Sequence, residues 1–235
     1  MVHLRVYWLI VLLTAGGSPL LSQPSHQAWD QLLQAHVNAA GQVDYVAFQQ
    51  DSARLQAYLQ QLSQQPPQAA WPRPARLTYW INAYNAFTIQ LILEHYPLAS
   101  IRELEQPWDQ PFISLGGTSY SLNDIEHRIL RRRFDEPRIH FAVNCASVSC
   151  PPLLNRAYRP GKLEQQLEQQ ARRFINDPAY NRLAQRKISA IFDWYGEDFT
   201  RKGSLISYLN RYTSKPLPEG SQFEFLAYDW NLNGQ

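Results

Sequence analysis

Cysteine is scarce in this chain: Cys145 and Cys150 are the only two among 235 residues, which leaves room for one bridge at most and excludes a disulfide-stapled scaffold. Charge of one sign is also missing. Lys+Arg total 22 and Asp+Glu 20, so no overall field favours nucleic acid or an anionic membrane as a partner. The one basic run, Arg128 with Arg131, Arg132 and Arg133, lacks interleaved aromatics for base stacking and reads as a solvated helix face. Nothing matches a phosphate-binding glycine loop, a dinucleotide fingerprint or an H-E-x-x-H helix, so no cofactor is expected. No histidine follows Cys150, which removes the Cys-then-His order of papain-like and transglutaminase-like enzymes. There is no internal repeat.

What is present is globular in character. Hydrophobic residues make up 45% and charged residues 18%, enough for one large core, so a single domain over residues 23–235 is expected. Ahead of it, Arg5 precedes an apolar run at residues 6–14 and then the small, turn-forming Ala15, Gly16, Gly17, Ser18 and Pro19. That order is a secretory signal, expected over residues 1–22, and the run is too short to span a bilayer. No cysteine near residue 20 offers a site for lipid attachment. The expected product is exported to the periplasm or beyond the cell, with no stable membrane anchor after cleavage.

Apolar spacing predicts helices over residues 28–37 and 52–62, with a turn at residues 43–45 between them and a Gln/Pro-rich connection at 64–74. The strongest helix, residues 77–95, carries apolar side chains on nearly every face and should be buried and central. Its Thr78, Asn82 and Asn85 share one side, where they either tie neighbouring loops or face a cleft. Residues 112–115 and 118–122 flank Gly116-Gly117 and read as a hairpin. Asn123 is expected to cap the next helix, with Glu126 as the returning carboxylate. Alternation predicts strands at 138–144, 187–192 and 223–228, and helices at 163–175 and 204–212. The order implies an α+β fold, with the buried central helix and other helices packed against a mostly antiparallel sheet.

Four stretches stand out: Tyr79-Trp80-Ile81-Asn82-Ala83-Tyr84-Asn85-Ala86, then Leu122-Asn123-Asp124-Ile125-Glu126-His127, then the run from His140 through Cys145 and Cys150 to Leu153, and finally Tyr228-Asp229-Trp230-Asn231-Leu232-Asn233. In this order they resemble the family known as domain of unknown function 547, over about residues 43–233. The resemblance implies no catalytic role; its matched positions are places where a site could lie.

The chemistry centres on the two cysteines, and three readings stay open. Cys145 and Cys150 could pair as a disulfide in a non-catalytic binding or scaffolding domain, with Asn82, Asn85, Asp229 and Trp230 lining a groove or locking the core. Alternatively Cys150 is a thiolate nucleophile on a loop after a strand, with His127 or His140 as base and Asp229, Asp198 or Glu126 orienting the imidazole. Alternation on the expected strand favours Cys150 over Cys145, and Glu126 is the weakest orienting group because adjacent helical residues diverge by about 100°. Such an enzyme would be a hydrolase or acyl transferase acting on a peptide-like amide. The third reading, zinc held by His127, His140, Cys145 and Cys150, lacks close paired ligands. The expected partner is a small molecule or peptide.

Overall fold

A computed structural model of the chain describes residues 22–234. All but the last residue of the expected export signal lies outside these residues. Helix α1 (Gln27–His36) packs on α3 (Ser52–Gln64), with Trp29 stacked on Tyr58 at 5.9 Å between ring centres. The expected turn at residues 43–45 instead opens a further helix, α2 (Tyr45–Gln50), because the Asp44 carboxylate accepts the Ala47 N–H at 2.9 Å and caps it.

Helix α4 (Arg73–His95) starts inside the Gln/Pro-rich connection, since Pro74 sits in the first turn, where a helix needs no N–H. At 23 residues it runs ~34 Å through the protein, buried from Leu77 to Ile89 on every face. The hairpin follows as β1 (Ile113–Leu115) and β2 (Thr118–Tyr120), paired antiparallel with Leu115 opposite Thr118. Gly116 and Gly117 take φ of +58° and +78°, and a Cβ on Gly116 would meet Pro66 Cγ at 2.7 Å.

The next helix is capped by Ser121 rather than Asn123. Ser121 Oγ accepts the Asp124 N–H at 3.0 Å and Asp124 Oδ2 accepts the Ser121 N–H at 3.0 Å, a reciprocal capping box set two residues early. Asp124–Leu130 then winds as a π-helix, with the Arg131 N–H reaching back five residues to Glu126 O, before α5 (Arg131–Phe134) closes the element. The expected strand at 138–144 is instead a 3-10 helix at Pro137–Phe141. Pro137 starts it, the Glu136 side chain accepts the Arg138 N–H, and Ile139, His140, Phe141 and Ala142 are all buried, which a two-faced strand would not produce.

After α6 (Leu163–Asn176) come β3 (Lys187–Ser189), α7 (Ile191–Trp194), α8 (Gly196–Thr200), α9 (Leu205–Asn210) and β4 (Glu224–Leu226). The strand expected at 187–192 ends after three residues, because the Asp193 and Trp194 N–H groups both turn back to Ala190 O. β3 pairs with β4 in parallel, so the fold is α+β with two small two-stranded units, one antiparallel and one parallel.

The larger core surrounds α4; a second gathers Phe141, Phe174, Phe192 and Phe199 from four elements. Burying each such ring contributes about 1.5–3 kcal/mol. Among the described residues, no helix is long and apolar enough to cross a membrane.

Candidate functional site

Three asparagines from three separate motifs hold the loop that carries the two cysteines. Asn85, on α4, donates Nδ2–H to Ala142 O and accepts the Asn144 N–H, both at 2.9 Å. Asn144 donates to Pro151 O at 2.9 Å, and its Oδ1 accepts from the Ala146 N–H at 2.9 Å and from Asn233 Nδ2 at 3.1 Å. Asn233 in turn accepts the Tyr45 hydroxyl at 2.7 Å. Asn82 clamps Tyr158 in the same two-handed way as Asn85 clamps its loop. Asn82 and Asn85 are therefore buried backbone ties.

The C-terminal segment stitches the cysteine loop from its other side. Val148 N–H donates to Asn231 O at 2.8 Å, Ser149 N–H to Asp229 O at 3.1 Å and Asn233 N–H to Ala146 O at 3.0 Å. Ala146 is held at φ +62°, a conformation a non-glycine residue keeps only when its surroundings fix it. Asp229, expected as an orienting acid, is exposed and uses Oδ1 to accept the Asn231 N–H of its own turn. Trp230 packs against Tyr228 at 4.5 Å and Trp108 at 5.6 Å.

Both cysteines are free thiols, and their sulfurs lie 3.0 Å apart. Cys150 is buried and Cys145 partly exposed, the reverse of the order expected from strand alternation, which lapses because the preceding segment is a 3-10 turn. Cys150 Sγ accepts the Cys145 backbone N–H at 2.9 Å. Cys145 Sγ lies 3.3 Å from the Tyr228 hydroxyl and 3.6 Å from Ser147 Oγ. The hydrogen bond from Cys150 pulls the Cys145 thiol below its ordinary range; Tyr228 and Ser147 add to this, against burial and the Glu126 charge. Burial and the Cys145 sulfur push the Cys150 thiol up. Burial likewise pushes the Tyr228 phenol well above its ordinary range, which leaves its O–H beside the Cys145 sulfur.

A cleft of about 160 Å³ opens onto this pair, with His127, His140 and Glu126 in its walls. His140 Nε2 is 2.8 Å from Asp198 Oδ2, and His140 Nδ1 is buried with no partner. Burial holds this imidazole below its ordinary pKa, so it is neutral: Nε2 carries the proton toward the carboxylate and Nδ1 keeps a bare lone pair. Asp198 also receives Arg131 Nε and Arg201 Nη2, each at 2.6 Å. Burial opposes its ionisation, but the bonds from His140 and Arg131 outweigh that and hold the carboxyl far below its usual range.

His127 accepts Arg131 Nη1 at 3.0 Å on Nδ1, and Tyr195 stacks on His140 at 3.9 Å between ring centres. Glu126 faces the same cleft as His127 because the π-helical turn spreads neighbouring side chains less than an α-helix does. The Tyr84 hydroxyl donates to Glu126 at 3.0 Å. Trp194, 47% exposed, stacks on Trp230 at 5.9 Å and makes an aromatic rim with Tyr228. Tyr84, Tyr195 and Tyr228 were not singled out from sequence, although Tyr84 and Tyr228 stand inside the matching stretches. The four residues considered for zinc line one cleft, but among the described residues no group of three or more His, Cys, Asp or Glu is arranged to hold a metal.

A family model described as "Protein of unknown function, DUF547" matches residues 68–175. That segment holds α4, the π-helical turn, His140 and both cysteines, and the chain is similar to this family over it. Among curated proteins and among solved structures, nothing matches.

Proposed function

We propose that the chain is a thiol-dependent hydrolase or acyl transferase acting on a peptide-like amide, with Cys145 as nucleophile, His140 as base and Asp198 as the group that orients the imidazole. One observation carries this: a partly exposed Cys145 thiol, 3.0 Å from Cys150 Sγ and 3.3 Å from the Tyr228 hydroxyl, lines the same cleft as His140, whose Nδ1 has no hydrogen-bond partner. The Cys145 thiolate adds to the amide carbonyl, the C–N bond breaks, and the amine leaves with the proton that Nδ1 had taken from the thiol. The thioester is then released by water or an acceptor amine, deprotonated at the same Nδ1. The rim of Trp194 and Trp230 gives the substrate a flat apolar seat beside the sulfur. Cys150 supports the thiolate as a donor and is not attacked. The work is done outside the cytoplasm, a reading supported by the order of residues 1–19.

The test is acyl capture. Incubation with a p-nitrophenyl acyl ester should give a burst of nitrophenolate and a chain heavier by one acyl group on Cys145. Cys145→Ala should abolish the adduct, while His140→Gln should slow its formation at least about a hundredfold. An adduct on Cys150 alone, or none on any residue, overturns the assignment.

A further inference from the structure

The two thiols differ in a way that acyl transfer does not require. Acyl transfer needs one sulfur, yet this loop holds a second one 3.0 Å from the first, buried behind it and clamped on both sides. The clamps are specific. Val148 and Ser149, between the cysteines, hydrogen-bond to Asn231 and Asp229, and Asn144, just before them, is fixed by Asn85 and Asn233. A disulfide needs the sulfurs to close from 3.0 Å to ~2.05 Å, about one ångström of travel.

From this geometry we propose that Cys145 and Cys150 form a working dithiol/disulfide couple that exchanges electrons with external disulfides, Cys145 being the sulfur that attacks and Cys150 the one that resolves. The activity is separate from acyl transfer and does not depend on it.

The Cys145 thiolate attacks one sulfur of the external disulfide; a Cys145–sulfur bond forms, the external S–S bond breaks, and the first external thiolate leaves. Cys150 then attacks Cys145 Sγ, its proton passing to the departing second thiolate, and the mixed disulfide breaks. The external disulfide has taken two electrons and become one thiolate and one thiol, while the chain's thiolate and thiol have become one disulfide. Run in reverse, the oxidised chain passes its disulfide to an external dithiol.

The placement of the groups matches the order of events. An attacking sulfur must meet a bulky disulfide, and Cys145 is the partly exposed member, in the wall of the open cleft. A resolving sulfur must stay protonated and out of reach until the mixed disulfide exists. Cys150 is 5% exposed, and its burial keeps it a thiol. The two sulfurs lie 3.0 Å apart, so capture of Cys145 by an external sulfur leaves Cys150 poised next to the bond it must break.

The test uses oxidised glutathione as the probe on the whole chain and reads intact mass. The native protein should lose the mass of two hydrogens, carry no lasting glutathionyl group, and return to its starting mass with excess reduced glutathione. Cys150→Ser should trap one glutathionyl group on Cys145, with the mixed disulfide rising about tenfold or more over native. Native protein that keeps two free thiols, or that accumulates a stable mixed disulfide, overturns the proposal, and neither result depends on whether a variant folds. Acyl capture on the reduced chain is measured without any disulfide present, so failure of one activity is distinguishable from failure of the other.

Discussion

His140 and Asp198 lie 58 residues apart in the chain and 2.8 Å apart in space, and their bond decides which ring nitrogen is free. Because Asp198 takes Nε2–H, the ring nitrogen left without a partner is Nδ1, buried on a residue that lines the cleft. Two arginines share the same carboxylate, which keeps it ionised while burial keeps the ring neutral.

That neutrality sets a pH dependence. His140 is held below its ordinary pKa by burial, and His26 is pushed down to about 4 by burial and then by the Arg159 charge. Both are neutral when folded and protonated when unfolded once the pH drops below 6.5, so the unfolded chain binds more protons there. Their stabilisation is complete above 6.5 and is lost as the pH falls, finishing near pH 4 for His26. His26→Gln, which can still accept from the Tyr58 hydroxyl, should flatten the fall in Tm over that window, a difference on the order of 2 kcal/mol after solvent screening. Thermal denaturation across the window checks it, and equal slopes for both proteins would contradict it.

Asn85 is a second point of leverage. Asn85→Ala leaves the Ala142 carbonyl and the Asn144 N–H without their buried partner, at a cost of about 2–5 kcal/mol. Urea denaturation should show that loss, with the midpoint lowered and the slope unchanged. A loss below about 1 kcal/mol would mean that water replaces the amide.

Gly41 sits at φ +86° against the backbone two residues beyond Cys150. A Cβ there would lie 2.5 Å from Pro152 Cβ and 2.8 Å from Leu153 N. Gly41→Ala should cost about 2–4 kcal/mol, through both the φ angle and the displaced chain. It should also slow alkylation of Cys145, because the shifted loop moves the Cys150 donor away. Unchanged Tm would show that the loop yields freely.

The sequence and the structure agree where periodicity is long and disagree where it is short. Helix α4 is legible because its apolar residues run over many turns, and the hairpin because Gly116-Gly117 has one good use. Residues 138–144 are not, since a seven-residue alternation fits a 3-10 turn as well as a strand, and Pro137 decides. A strand there would bury Cys145 and expose Cys150, whereas the 3-10 turn leaves Cys145 partly exposed and Cys150 buried. The cleft is legible only in part: His127, His140 and both cysteines stand out in the sequence, but choosing Asp198 over Asp229 needs the fold, because both are acids near aromatics along the chain. The π-helical turn that brings Glu126 beside His127 has no signal in the spacing.

Alkylation of the fully reduced protein by iodoacetamide, followed cysteine by cysteine at a series of pH values with mass spectrometry of the peptides, tests the central assignment most directly. Cys145 should react first, with a midpoint below the ordinary thiol range that moves up in Tyr228→Phe, while Cys150 stays protected until high pH. Faster reaction at Cys150, or a Cys145 midpoint at or above that of an unperturbed thiol, would contradict the account.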